Sequence, residues 1–112
     1  MAAALATKLD NIKNLGGINS RDVAELLDTT PETVSRWING RVDPQRERLQ
    51  RLLQLEFFLT ELAEFYKPEE ARLWLLSPNR LLDGATPADR IKEGRTEDVF
   101  ALLEQLRSGA YV

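Results

Sequence analysis

The chain has 112 residues, of which 43% are hydrophobic and 29% charged, a balance typical of one globular domain or two small ones. It contains no cysteine and no histidine, which excludes disulfides, cysteine- or histidine-based metal sites and the Ser–His and Cys–His catalytic arrangements. The net charge is −3, but the charge is unevenly distributed. Residues 1–52 carry eight basic and seven acidic side chains, whereas residues 53–112 carry seven basic and eleven acidic ones. We therefore predict a binding protein with two differently charged parts and with no catalytic residue, metal or cofactor.

The beginning of the chain carries no recognisable targeting sequence. The opening stretch MAAALAT has neither a basic region nor a long apolar run, and charges interrupt every longer apolar stretch. We therefore expect a cytoplasmic protein without a membrane segment. Strand-like alternation is nearly absent, and the predicted fold is all-α.

Four helices are predicted in the first part of the chain. Their start and stop residues place them over about residues 3–15, 20–27, 31–39 and 44–66. Gly16-Gly17 ends the first, and Ser20 is expected to cap the second. Thr30 and Pro31 fit the N-cap and first position of the third, which Gly40 ends.

The segment SRDVAELLDTTPETVSRWINGR, residues 20–41, has the pattern of a helix-turn-helix. Its first helix offers a small residue, Ala24, where a second helix would cross. Val34, Trp37 and Ile38 are expected to lock that second helix in place. The segment resembles the phage-repressor-like Xre class of DNA-binding domains, above all in the stretch TVSRWINGR.

Burial of Val34 and Trp37 would turn a set of polar residues outward. The predicted DNA-binding residues are Thr29, Thr33, Ser35, Arg36, Asn39 and Arg41. Arginine and asparagine make bidentate contacts with guanine and adenine, whereas threonine and serine suit phosphates. Arg46 and Arg48 could add phosphate contacts. The alternative is that the motif serves only as a scaffold.

The long fourth helix has an unusually wide apolar face. A seam with 3,4 spacing is flanked by apolar residues on both sides; the seam comprises Leu52, Leu55, Leu59, Leu62 and Tyr66, and the flanks Phe58, Phe65, Leu53 and Phe57. Either the C-terminal helices of the same chain wrap this helix, or one face is a homodimer seam. The usual dimerisation of DNA-binding helix-turn-helix proteins favours the dimer slightly.

The last part of the chain restarts at prolines. Lys67-Pro68, Ser77-Pro78 and Thr86-Pro87 mark helix starts, and Thr96 is expected to cap a final helix that reaches Arg107. The run from residue 71 to residue 112 combines W-L, P-N, L-x-G and P motifs with the ending G-x-Y-V. It resembles the toxin-binding domain of Xre/MbcA/ParS antitoxins, and its length and ending resemble the MbcA branch. The same residues could also be ordinary core and turn residues, Trp74 being expected in the core.

The resemblance covers residues 18–112 and implies an organisation and a partner. We divide the chain into a helix-turn-helix domain (1–43), a long connecting helix (44–66) and a small helical toxin-binding domain with a C-terminal tail (67–112). The implied function is that of an antitoxin of a type II toxin–antitoxin system. Its partner would be a RES-domain toxin that degrades or consumes NAD⁺, and operator DNA of its own operon would be a second partner. A homodimer within a larger hetero-oligomer is expected.

In the resembled family the C-terminal end of the antitoxin blocks the toxin's active-site entrance. Carried over to this sequence, the toxin-binding residues are Gly109, Ala110, Tyr111 and Val112, supported by Arg107 and Arg80. Gly109 would turn the chain off the last helix, and the small, partly aromatic tail would end in a carboxylate. The alternatives are a terminus without a role, a stand-alone transcriptional regulator without a toxin, and an adaptor that keeps the helix-turn-helix only as structure.

Overall fold

The computed structural model describes residues 2–109 and, within them, seven α-helices, one 3₁₀ turn and no β-strand. The helices are α1 (Ala2–Gly16), α2 (Ser20–Leu26), α3 (Pro31–Ile38), α4 (Arg46–Leu62), α5 (Pro68–Leu76), α6 (Pro87–Lys92) and α7 (Thr96–Arg107), with the 3₁₀ turn Arg80–Leu82 between α5 and α6. The all-α prediction is confirmed, as is the helix-turn-helix near the N-terminus.

The start of α2 lies one residue from its predicted position. Asn19, and not Ser20, is the N-cap: its side-chain oxygen accepts the backbone N–H of Asp22 at 2.9 Å, and the Asp22 carboxylate accepts the N–H of Asn19 at 3.2 Å. The predicted cap at Ser20 is wrong because only Asn19 has an acidic residue three positions later to complete this reciprocal capping box. Thr30 caps α3 as predicted, accepting the N–H of Thr33 at 3.2 Å.

Two further helix boundaries differ from expectation. The N-cap of α7 is Arg95, with no side-chain cap, so that Thr96 is the first helical residue and not the cap. The fourth helix begins at Arg46 instead of at Pro44, and it ends at Leu62 instead of at Tyr66. The Tyr66 N–H still donates to the carbonyl of Leu62 at 2.9 Å. Lys67 itself is extended, with a ψ of 162°, because the residue before a proline is disfavoured in the α conformation.

The seam of α4 lies in the centre of the core. Leu52, Leu55, Leu59 and Leu62 are at most 1% exposed, because α4 packs between α1 and α7. Packing within the chain therefore accounts for this seam, as in the first of the two interpretations. On the flank the side chain of Phe57 is 51% exposed.

The helix-turn-helix and the C-terminal helices share this core. α1 contacts α3, α4 and α5, and α2 contacts α6. Arg72 on α5 donates to the carboxylate of Asp22 on α2 at 2.9 Å, and Lys8 on α1 pairs with Glu56 on α4 at 2.9 Å. The outer face of α3 and the surface of α5 are thus held in a fixed relation. Over residues 2–109 no helix is long and apolar enough to cross a membrane.

Candidate functional site

The outer face of α3 is the first candidate surface. Val34 and Trp37 are 6% and 3% exposed and fix α3 against the rest of the helix-turn-helix, where Ala24 is 1% exposed. The outward orientation of Ser35, Arg36 and Asn39 follows from this packing. The expected locking role of Ile38 is wrong: it is the last helical residue, no further turn of α3 covers it, and its side chain is 36% exposed.

Four of the six predicted DNA-binding residues meet on this face. Ser35, Arg36, Asn39 and Arg41 line one shallow depression, whose rim also contains Glu32. Arg41 reaches it because its backbone N–H donates to the carbonyl of Arg36 at 2.9 Å, closing the turn at the end of α3. The depression therefore presents two guanidinium groups, one amide and one hydroxyl, a set that can donate hydrogen bonds to phosphates and base edges.

The two predicted threonines lie beside the depression and not in it. The hydroxyl of Thr33 lies 3.0 Å from that of Thr30 at the start of α3, and Thr29 is half-buried in the turn before it. Arg48, a suggested phosphate contact, lies 3.5 Å from the carboxylate of Asp28 and joins α4 to the turn of the helix-turn-helix. Thr33 and Arg48 thus have partners within the chain, and none of the three residues lines the depression.

The basic residues of the depression keep their charges available. Among residues 2–109 neither Arg36 nor Arg41 forms an ion pair within 4.0 Å, and the same holds for Arg46. All three side chains are exposed. An unpaired surface guanidinium is free to displace the counterions of a phosphate backbone.

A second surface lies where α5 leads into the 3₁₀ turn. We call it the α5 groove; its lining residues are Tyr66, Glu70, Leu73, Trp74, Ser77, Pro78, Asn79, Arg80 and Leu81. Leu73 is 67% exposed and Leu81 48% exposed, although both are large apolar residues. The Asn79 side chain accepts the N–H of Leu81 at 2.9 Å and so fixes the turn that forms one wall.

Trp74 forms part of both the core and the groove. Its ring lies 5.5 Å from that of Phe58, centroid to centroid, in agreement with the expectation that it packs in the core. Its indole Nε1, however, is out of contact with solvent and donates to no acceptor within residues 2–109. Sequence reasoning missed this donor and the neighbouring Leu73. The available indication was that α5 has apolar residues on all sides, since Leu73 lies opposite the buried Leu75.

The two arginines predicted to bind the toxin, Arg80 and Arg107, lie on different parts of the surface. Arg80 lines the α5 groove, whereas Arg107 does not. Arg107 donates to the carboxylate of Glu61 on α4 and lies 3.5 Å from that of Glu104. The hydrogen bond to Glu61 raises the pKa of the Arg107 guanidinium, which therefore remains charged. Its contact with Glu61 holds the last turn of α7 against the end of α4.

The end of α7 has the geometry predicted for it. Gly109 follows the helix with a φ of +86°, and its N–H donates to the carbonyl of Leu106 at 3.1 Å. This left-handed conformation suits glycine and directs the chain away from the helix axis. The other three predicted tail residues, Ala110, Tyr111 and Val112, lie outside the described residues.

The contact between Asp22 and Arg72 joins α2 to α5 outside both candidate surfaces. Partial burial raises the pKa of Asp22, but the hydrogen bonds from Arg72 and from the backbone N–H of Asn19, together with nearby positive charge, outweigh it and lower the pKa below 3.8. The carboxylate is therefore charged over the physiological range. Within the described part of the chain no cluster of three or more acidic side chains is placed to hold a metal ion.

Comparison with known proteins gives matches to both halves of the chain. Residues 9–55 match a helix-turn-helix family, and residues 61–109 match the antitoxin Xre/MbcA/ParS C-terminal toxin-binding domain. The mycobacterial cidal antitoxins MbcA of Mycobacterium tuberculosis and Mycobacterium bovis are each 38% identical over 96 residues, which is 86% of this chain and 85% of theirs. A chain in the crystal structure of the M. tuberculosis MbcT–MbcA toxin–antitoxin complex superposes with a TM-score of 0.81 at 36% identity and covers 97% of both chains.

Proposed function

The chain belongs to the Xre/MbcA/ParS family of antitoxins, and on that premise we propose that it binds a cognate RES-domain toxin and blocks the toxin's NAD⁺-consuming active site. It is a binding protein and not an enzyme. Its helix-turn-helix would also bind the operator of its own operon, as a homodimer within a larger complex with the toxin.

One observation carries the proposal. The likeness to the antitoxin family extends over both halves of the chain, and the superposed chain comes from the structure of a toxin–antitoxin complex, with 97% coverage. A likeness restricted to residues 9–55 would be equally typical of a stand-alone regulator. The additional match over residues 61–109 to a toxin-binding domain favours an antitoxin.

The proposed mechanism is steric exclusion of the substrate. Arg107, held by Glu61, fixes the last turn of α7, and Gly109 turns the chain off the helix. The four residues 109–112 can extend by roughly 13 Å at about 3.3 Å per residue. A segment of that reach can fill the mouth of a nucleotide-binding pocket, so that NAD⁺ cannot enter, and no chemistry by the antitoxin is required.

Co-expression tests this part of the proposal. The protein encoded beside this chain's gene is induced in bacteria together with the full chain or with a version that ends at Ser108, and growth, co-purification and cellular NAD⁺ are measured. The full chain is expected to restore growth, whereas the shortened chain co-purifies without restoring it. Equal rescue by both versions would mean that residues 109–112 do not block the site. A harmless neighbour that does not co-purify would favour a stand-alone regulator.

Operator binding rests on a separate observation, the depression on α3. Arg36 and Arg41, which form no ion pair with the part of the chain that the structure describes, lie beside Asn39 and Ser35, where they can contact phosphates and bases together. The test is a titration of promoter DNA at several salt concentrations with the wild-type chain and with Arg36→Ala. Arg80→Ala, which also removes one exposed arginine but lies in the α5 groove, is the matched control.

We expect Arg36→Ala to weaken DNA binding by about 1–3 kcal/mol, with binding by the wild-type chain becoming weaker as salt rises. Arg80→Ala should leave DNA binding unchanged. Equal losses in both variants, or binding that does not respond to salt, would contradict a specific role for the α3 face. Absence of DNA binding at any salt would leave the helix-turn-helix as a scaffold.

A further inference from the structure

The α5 groove contains apolar surface that the fold does not use. Within the described part of residues 61–109, Leu73 and Leu81 are the two most exposed large apolar side chains, at 67% and 48%. Both line the same groove as the half-buried ring of Trp74. Contiguous exposed apolar surface of this kind is typical of a protein-binding site.

Charged groups border this apolar surface. The exposed residues Arg80 and Glu70 line the same groove. The indole Nε1 of Trp74 donates to no acceptor among the described residues, but it is shielded from solvent and is therefore not open to a partner's acceptor either. The groove thus suits a partner that offers an apolar side chain next to a carboxylate or a backbone carbonyl, which the exposed guanidinium of Arg80 can bind.

The position of the groove in the chain indicates which partner this is. All of its lining residues, 66–81, fall inside the range 61–109 that matches a toxin-binding domain. The exposed apolar residues of α4, Leu53 and Phe57, lie outside that range. Phe65 and Leu76 also lie inside the range, but they are less exposed, at 42% and 39%, and they do not line the groove. The two most exposed apolar side chains of the matched range therefore share the α5 groove, which favours the toxin over a second copy of the chain as its occupant.

We infer that the α5 groove is the anchor that gives this chain its affinity for the toxin, separately from the tail that blocks the toxin's active site. The inference rests on the proposed function. An apolar side chain of the toxin packs against Leu73 and Leu81, and an acceptor beside it binds the guanidinium of Arg80. Hot spots of protein interfaces lie in such apolar pockets, and arginine is enriched among them.

The first test removes the apolar surface without adding charge. The double variant Leu73→Gln with Leu81→Gln is compared with Leu53→Gln, a matched control whose leucine is 42% exposed on α4. Affinity for the purified protein encoded beside this chain's gene is measured by calorimetry with the full chain. We expect the double variant to bind about 30-fold more weakly or worse, as for a hot spot. The control should stay within about threefold, because a surface substitution away from the interface has little effect.

The second test separates the exposed leucines from the tryptophan beside them. Trp74→Phe keeps an aromatic ring against Phe58 and removes the indole N–H, and thermal unfolding checks that the fold is retained. Because Nε1 is shielded from solvent, we expect the affinity to stay within about threefold of the wild type. A loss as large as that of the double variant, with the fold retained, would contradict an anchor formed by Leu73 and Leu81.

A third measurement separates the anchor from the tail. The chain that ends at Ser108 keeps the whole groove and should bind with an affinity within about tenfold of the full chain, since the groove residues carry most of the interface energy. Loss of all binding on truncation, or a double glutamine variant that binds like the wild type, would overturn the inference while leaving the proposed function intact. If the wild-type chain itself fails to bind its neighbour, the proposed function fails and the inference fails with it.

Discussion

The guanidinium of Arg72 on α5 lies 2.9 Å from the carboxylate of Asp22 on α2, and this contact joins the helix that carries the α5 groove to the helix-turn-helix. The same carboxylate completes the capping box of α2 by accepting the N–H of Asn19. One side chain therefore stabilises the start of α2 and adds to the core packing that joins α5 to the helix-turn-helix.

The double role of Asp22 predicts a pH-dependent contribution to stability. Because the pKa of Asp22 is lowered below 3.8 in the folded protein, its stabilisation is fully present above that value and is lost as the pH falls through the lowered pKa. We expect Asp22→Asn to reduce the free energy of unfolding by about 1 kcal/mol at neutral pH. The effect is modest because the ion pair of Asp22 with Arg72 is partly exposed to solvent. Urea unfolding between pH 7 and pH 3 measures the difference between wild type and variant.

The control is Asp10→Asn, because Asp10 is 70% exposed and lies 4.0 Å from Lys13. This variant should differ little from the wild type at any pH. A gap between Asp22→Asn and the wild type that grows as the pH falls would contradict the assignment.

The turn between α1 and α2 predicts a strong effect of a small substitution. Gly17 has a φ of +59°, and a Cβ at this position would come within 2.7 Å of the backbone carbonyl oxygen of Pro68 at the start of α5. Gly84 has a similar φ of +88° with nothing within 4 Å of such a Cβ. Gly84→Ala should therefore lower the free energy of unfolding by about 1 kcal/mol, because alanine disfavours the left-handed backbone conformation. Gly17→Ala should lower it by about 1–3 kcal/mol more, because α5 must also move.

Thermal and urea unfolding of the two alanine variants measure this difference. The comparison isolates the close approach of two backbones, since both glycines adopt the left-handed conformation. Equal stability of the two variants would mean that α5 does not rest on the α1–α2 turn.

Much of the fold can be predicted because helix boundaries depend on local chemistry. Thr30-Pro31 and Thr86-Pro87 start helices at the expected positions, where a hydroxyl cap is followed by proline. The predicted start at Ser77-Pro78 is wrong: Ser77 is the C-cap of α5, and Asn79 caps the 3₁₀ turn that follows. The prediction of Ser20 as a cap is wrong because two adjacent residues can both cap, and the choice depends on which one has an acidic partner three positions on. Local patterns therefore locate a helix start more reliably than they identify its cap.

The candidate sites show where sequence reasoning stops. Arg36 and Arg41 can be predicted together because they follow one helix face and its turn, and the structure brings them together. Arg107 is grouped with Arg80 by the family resemblance, yet it is held by Glu61, which lies more than forty residues away in the sequence. The exposure of Leu73 depends on which side of a short helix the rest of the protein covers. Such long-range pairings are decided by tertiary packing, which composition and spacing do not contain.

The interpretation of the α4 seam gives a further prediction. Leu59 is fully buried, and its methyl groups lie 3.1 and 3.3 Å from the position of a Cβ at Gly16, whereas Leu53 on the same helix is 42% exposed. Leu59→Ala should reduce the free energy of unfolding by about 2–5 kcal/mol. Leu53→Ala should change it by about 0.5 kcal/mol or less in a monomer. If both variants were strongly destabilised and the loss at Leu53 depended on protein concentration, the flank of α4 would belong to a homodimer interface.

The conformation of Gly109 predicts how the direction of the tail affects neutralisation. With a φ of +86° and nothing within 4 Å of the position that a Cβ would take, alanine at this position meets only the cost of the left-handed conformation. That cost is about 1 kcal/mol, which corresponds to roughly a fivefold loss if the bound tail requires the same conformation. Asparagine adopts this conformation more readily than alanine. Inhibition of the co-purified toxin should therefore decline in the order glycine, asparagine, alanine.

The measurement is residual NAD⁺ consumption by the toxin as each variant is titrated, with thermal unfolding as a check on the fold. Global stability should be the same in all three chains, because Gly109 follows the last helix and packs against nothing among the described residues. A loss of inhibition without a loss of stability would tie the left-handed turn to the blocking of the active site. Equal inhibition by the glycine and alanine chains would mean that the tail reaches the toxin without this turn.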